Sequence, residues 1–307
     1  MRISSNSFYT STLSGIMDQQ SAIARLTQQI ASGKKLLSAA DDPVAASQIM
    51  SLNDRISLNT QYSTNQTSIG SVQSEETVVL NQMQSYLQTA QATLSSVNAS
   101  TDQNNKDSAA ATLASIYQEI KNLANYQDTN GNYIFAGFNT TTQPYSHSAA
   151  YGTGATTSSA TTYSGDNGIR QVQVSQGVTV QANDNLNSVM LSGSASDLLQ
   201  TLDQTAINLK ANTSTLSTDL PAAYTTVTNA LTNLKSIQVS LAGRQTLVTN
   251  QQTTTTNLLT SNQDTLGNLS TLDQAKAIVE LQTRQTLLQS AESSFATVSK
   301  LSIFNYL

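Results

Sequence analysis

NLSTLDQAKAIVELQTRQTLLQSAESSFATVSKLSIFNYL, residues 268–307, holds the clearest apolar period in the chain and almost nothing that could do chemistry. Leu281, Leu288 and Phe295 stand seven apart. Ala277, Ala291 and Val298 fall on the adjoining row, and Leu287 and Leu301 widen it into one broad stripe. Ser270 and Asp273 have the spacing of a capping box, with Gly267 loosening the junction before them. Glu280 and Arg284 form a favourable i,i+4 pair, but charge is otherwise sparse. Such a helix needs an outside apolar face to settle on.

The opposite end of the chain supplies a matching stripe. Tyr9, Ile16, Ile23, Ile30 and Leu37 also stand seven apart, with Leu13 and Leu26 beside them. Chain ends are ordinarily the least patterned part of a domain, so two heptad ends predict one terminal coiled coil and an assembly surface.

Between the ends the pattern is helical, then β, then helical again. Ser32 and Gly33 stop the first helix, and Asp42 with Pro43 caps and opens the next. From Val44 to Val97 there is no proline and one glycine, which at 1.5 Å per residue predicts a helix roughly 80 Å long. Asn59, Ser63, Gln66 and Gln73 interrupt its stripe, and Gln238, Gln245 and Gln252 recur in a return helix that Pro221 is expected to open. A shorter helix is expected over residues 108–126, and Ser194 or Ser196 is expected to cap another through Leu198, Leu199 and Leu202. Asn130-Gly131 signals a hairpin turn, and the alternation from Tyr133 to Phe138 reads as a strand. Residues 146–159 read as an exposed loop, and residues 160–183 as β structure around a Gln176-Gly177 turn.

The fold class expected is therefore mainly α with a small β domain: an antiparallel rod of long helices, terminal coiled-coil helices and an inserted β tip. Five parts are expected. Residues 1–42 and 267–307 are coiled-coil assembly segments, 43–145 and 193–266 are the two halves of the rod, and 146–192 are the β insertion.

Composition narrows the function. Charged residues make up 11 % and aromatics 5 %, with one His, no Cys, no Trp and a net charge of -5. No disulfide can form, and scattered Lys and Arg give no basic patch for nucleic acid or an anionic membrane. No run approaches the length of a membrane span, and the start, MRISSNSFYTSTLSG, lacks the apolar core of a cleavable signal peptide. That fits a cytoplasmic chain or one exported uncut.

No reactive constellation emerges. Gly33-Lys34 lacks the glycine five residues earlier that a P-loop needs, since Gln28 stands there. Asp41 and Asp42 could be paired acids, but beside Pro43 they read as helix caps. His147 has no second histidine or cysteine to share a metal with and reads as a solvated loop residue. No catalytic residue, cofactor site or metal site is assigned.

The segment IASGKKLLSAADDPVAASQIMSLN, residues 30–53, resembles the N-terminal signature of the bacterial flagellin family, and residues 269–307 resemble its C-terminal one. The resemblance covers nearly the whole chain in order and is weakest over residues 147–162. Its signature positions here are Gly33, Asp41, Asp42, Pro43, Tyr133, Phe135 and Gly137. The Asp-Asp-Pro form, the NYIFAG core and the ending 301–307 are similar to the branch that joins hook to filament rather than to the filament subunit itself.

The resemblance implies a flagellin-like, self-assembling structural protein, with no enzyme activity and no cofactor. It also implies export through the flagellar type III apparatus and a place outside the cell. The implied partners are copies of itself in a ring, the first hook-filament junction protein, flagellin, and an export chaperone on the C-terminal helix, with no nucleic acid and no membrane. The filament subunit itself is the alternative, and a secreted enzyme on a helical scaffold a remote one.

Overall fold

The computed structural model describes residues 2–191 and 197–304. Their order is helix α1 (Arg2–Ser32), α2 (Pro43–Ser96), α3 (Gln103–Ala124), strands β1 (Tyr145–Ser146), β2 (Thr162–Tyr163), β3 (Gln171–Ser175) and β4 (Val178–Gln181). Helices α4 (Asn187–Met190), α5 (Leu198–Ala211), α6 (Leu216–Ser270) and α7 (Gln274–Phe304) follow. The chain is mainly helical, with two antiparallel two-stranded sheets, β1 with β2 and β3 with β4. It divides into two compact units. One holds Met1–Thr60 and Asn257–Leu307, the other Gln61–Thr256.

The second unit has one main apolar core. Leu80, Met83, Leu87 and Leu94 of α2 meet Leu113, Ile116 and Ile120 of α3, Leu199, Leu202 and Leu209 of α5, and Val227, Leu234 and Leu241 of α6. Each such side chain contributes about 1.5–3 kcal/mol when fully buried, so this cluster is what holds the helices together. A smaller cluster lies under the β3–β4 hairpin, where Val174 and Val180 cover Ile69 of α2 and Val248 of α6. The Gln66 and Gln245 side chains bond across the seam. Gln66 Nε2 donates to the Val174 carbonyl at 2.6 Å and to Thr255 Oγ1 at 2.9 Å. Gln245 Nε2 donates to the Gln73 carbonyl at 3.1 Å and to Thr77 Oγ1 at 2.9 Å. On the outward faces, threonine hydroxyls close on the carbonyl four residues back, as Thr67 does on Ser63, Thr89 on Ser85, Thr253 on Thr249 and Thr286 on Gln282.

Several helix ends differ from expectation. Pro221 lies inside α6, which starts a turn and a half earlier where the Thr218 and Asp219 N–H groups donate to the Thr215 carbonyl. Only one intrahelical bond is lost to the proline there. Helix α3 starts at Gln103 because the Asp102 carboxylate accepts from the Asn105 N–H at 3.1 Å. Asp197 caps α5 by accepting from the Gln200 N–H at 2.7 Å, whereas Ser194 and Ser196 lie outside the described residues. Ser270 ends α6, which runs on through Gly267. Asp273 caps α7 by itself through the Lys276 N–H at 3.1 Å, because a carboxylate at the cap position needs no reciprocal partner.

Tyr133 to Phe138 is not a strand. The Asp128 carboxylate accepts from the Asn130 and Asn132 N–H groups at 2.8 and 2.9 Å, and the Tyr133 N–H reaches forward to the Thr140 carbonyl at 2.8 Å. The segment is wound into successive turns, so the consecutive residues Ile134, Phe135 and Ala136 are all buried instead of alternating between two faces.

His147 is not solvated either: it is 5 % exposed. Its Nε2 donates to the Ser159 carbonyl at 2.8 Å, and its Nδ1 lies 2.8 Å from the Tyr117 hydroxyl. Lys121 Nζ holds the His147 carbonyl at 2.8 Å. The rest of this loop is tied to α5, since Asp203 accepts from the Ala150 and Tyr151 N–H groups at 2.8 and 3.0 Å and from Ser158 Oγ at 2.6 Å. Side chains 26 to 53 positions away supply the partners that the loop's own composition lacks.

Candidate assembly interface

In the first unit α1 and α7 pack side by side. Tyr9 meets Phe295 edge to face at 5.6 Å, and Arg284 Nη1 donates to Gln19 Oε1 at 3.3 Å. Position rises along α1 as it falls along α7, so the two helices are antiparallel. The covered side of α1 runs through Tyr9, Ile16, Ile23, Leu26 and Ile30, and that of α7 through Ala277, Leu281, Leu288, Ala291 and Phe295. Ile16, Leu26 and Ala277 are buried, and the other seam positions are partly covered. Leu37 and Val298 are exposed, and the Leu301 side chain lies outside the described residues. Thr12, not Leu13, takes the covered position between Tyr9 and Ile16, because a seam alternates steps of three and four.

Several large apolar side chains of the pair lie outside the seam and face water. Met17 is 61 % exposed and Leu287 55 %, and Leu13, Ile278 and Val279 are exposed as well.

The signature residues shape the turns. Gly33 ends α1 at φ +67°, and its carbonyl accepts from the Leu272 N–H at 3.0 Å while Lys35 N–H donates to the Ser270 carbonyl at 2.8 Å. The turn after α1 is thereby fastened to the link between α6 and α7. Asp41 accepts from the Leu37 and Ser38 N–H groups at 2.9 and 3.0 Å and pairs with Arg25 at 3.0 Å. The Ser38 and Leu37 N–H groups hold its carboxyl below the usual range. Asp42 accepts from the Val44 and Ala45 N–H groups at 3.1 and 3.0 Å, with Pro43 at the first helical position of α2. Tyr133 is half-buried, Phe135 lies in the main core, and Gly137 takes φ +75°.

Ser158, His147 and Asp203 come together without forming a nucleophile triad. The carboxylate accepts a hydrogen bond from the serine hydroxyl instead of orienting the imidazole, and all three side chains are buried. Tyr117 beside them is pushed up to about 12 by burial and by the charges of Asp203 and Asp197. Among the described residues, no group of three or more acidic or histidine side chains is placed to hold a metal ion. No helix among them is long and apolar enough to cross a membrane.

Residues 3–140 match the bacterial flagellin N-terminal helical region. The flagellar hook-associated protein 3 of Salmonella typhimurium is 36 % identical over 146 residues, 47 % of this chain and 46 % of that protein. The protein of the same name in Escherichia coli is 33 % identical over 147 residues, 48 % and 46 % of the two chains. The matched region thus spans about half the length of these relatives. Among solved structures, flagellar hook-associated protein 3 of Legionella pneumophila covers 72 % of this chain with 98 % of its own at TM-score 0.62 and 15 % identity. The flagellar junction protein FlgL of the same organism covers 73 % with 100 % of its own at TM-score 0.59 and 15 % identity. These two share the fold. Residues 3–140 thus match a bacterial flagellin N-terminal helical region, and the relatives similar to about half of the chain are named for the flagellar hook.

Proposed function

We propose that the chain is a structural component of the flagellum that joins hook to filament by assembling with axial neighbours through α1 and α7. The observation that carries this is the exposure of Met17 and Leu287, large apolar side chains that one chain leaves in water beside its own seam. The names of the relatives support it. On this reading residues 1–42 and 267–307 are the assembly segments, 43–145 and 193–266 the rod, and 146–192 its β part. The partners are further copies in a ring, the first junction protein and flagellin, with a chaperone on α7 before export through the type III apparatus. The chain works outside the cell and catalyses nothing.

Met17→Asp and Leu287→Asp test it, because neither side chain supports the chain's own fold. A charge buried without a counter-ion at a subunit contact weakens that contact by more than about 1.4 kcal/mol, so incorporation should fall at least about tenfold. In a strain lacking the native gene, both variants should be secreted with unchanged melting, and flagellin should be shed into the medium. Immunogold labelling of the parent should mark the filament base alone; label along the filament would identify a filament subunit instead. Normal motility in both variants would refute the interface.

A further inference from the structure

Beside the exit of the β3–β4 hairpin three charged side chains from three parts of the chain come together, two of them buried. Glu76 of α2 is 2 % exposed. It faces Asp184, in the loop after β4, through that residue's side chain and backbone N–H, and it also feels the charge of Arg244 on α6. Asp184 is buried too. It is ion-paired with Arg244 Nη2 and accepts from Gln181 Nε2 at 2.9 Å. Arg244 Nη1 donates to Ser240 Oγ at 3.0 Å. Glu75 precedes Glu76 on the same helix, so no cation from α2 itself adjoins it.

Two carboxyl groups and one guanidinium would leave a negative charge over, and on Glu76 that charge would be almost wholly shielded from water. An enclosed charge without a partner is removed by binding a proton. Arg244 is committed to Asp184, and Glu76 Oε1 has no hydrogen-bond partner, so Glu76 is the acid without a counter-charge. Two ionised carboxylates cannot hydrogen-bond each other, since neither has a proton to donate.

We propose that Glu76 keeps its proton in the folded protein at neutral pH and donates it to Asp184. The carboxyl pair with Arg244 then clasps α2, the exit of the hairpin and α6. Burial and the Asp184 charge push Glu76 up to about 9 from 4.5. The unfolded chain releases this proton near the ordinary value, whereas the folded chain retains it. The contribution of Glu76 to stability is therefore fullest below 4.5, falls as pH rises toward about 9, and changes no further above it. Inside that window the unfolding constant rises by up to about tenfold per pH unit.

The test uses the full chain and two readouts. Infrared titration of the parent should show the C=O stretch of a protonated carboxylic acid persisting through neutral pH and disappearing only in alkali. Its disappearance in the ordinary carboxylate range would overturn the proposal, and this readout stands even if a variant does not fold. Denaturant unfolding across the same window should give at least about a hundredfold rise in the parent's unfolding constant and at least about tenfold less in Glu76→Gln. Parallel pH profiles for the two proteins would overturn it equally.

Discussion

Asp203→Ala should lower the stability of the second unit by about 3–5 kcal/mol, enough to leave a large fraction of it unfolded under mild warming. The carboxylate is 0 % exposed and accepts from the Ala150 N–H, the Tyr151 N–H and Ser158 Oγ. Alanine leaves all three donors without an acceptor, at about 1–3 kcal/mol for each that water cannot reach. Ser158 also contacts His147 Nε2 at 3.1 Å, so the loosening should spread to the histidine and to its carbonyl contacts with Tyr117 and Lys121. Asp203→Asn keeps one acceptor oxygen and should lie between parent and alanine. The check is the denaturation midpoint by circular dichroism with amide exchange at Ala150 and Tyr151. A loss below about 1 kcal/mol would mean that the loop is held by other contacts.

Gly137→Ala should be nearly as damaging, for a steric reason. Gly137 has φ +75°, where a Cβ costs about 1–2 kcal/mol, and that Cβ would stand 2.1 Å from Asp166 Oδ1 and 2.3 Å from the Asp166 carbonyl oxygen. Something must move. Asp166 holds the Phe138 N–H at 2.8 Å and the Gly168 N–H at 2.7 Å, so displacing it undoes the turn on both sides. A loss of about 3 kcal/mol or more is expected. Gly131→Ala is the internal control, because φ is +79° there but nothing lies within 4 Å of the new Cβ. It should lose only the conformational part. Equal losses in the two variants would refute the clash, and comparing their denaturation midpoints decides the matter.

What could be read from the residues follows from how far apart the interacting residues stand. The terminal helices, their seam and the long α2 announce themselves through a seven-residue period and through Asp42 and Pro43, each a local signal. The glutamines of the seam were legible as polar layers, since Gln66, Gln73 and Gln245 break an apolar stripe at regular intervals. The turns around Phe135 were not, because consecutive apolar residues fit a strand and a wrapped loop equally well until their surroundings are known. His147 and Asp203 could not be paired from sequence at all. They come from different segments, and a lone histidine in a Ser/Ala loop reads as solvent-facing until the Tyr117 hydroxyl is placed beside it. Glu76 was equally silent, since its partners lie across the chain on another helix and in a loop.

The threonines on the outer faces of the helices carry one more consequence. Hydroxyls already bonded to the carbonyl four residues back offer little to ions in solution. The chain carries only 11 % charged residues, and three ion pairs are present among the described residues. Raising the ionic strength shortens the Debye length to about 3 Å at 1 M salt, which weakens interactions between exposed charges. Here there is little for it to weaken. A structure held by apolar seams, with so few exposed ion pairs, should keep its cohesion from dilute water to brine.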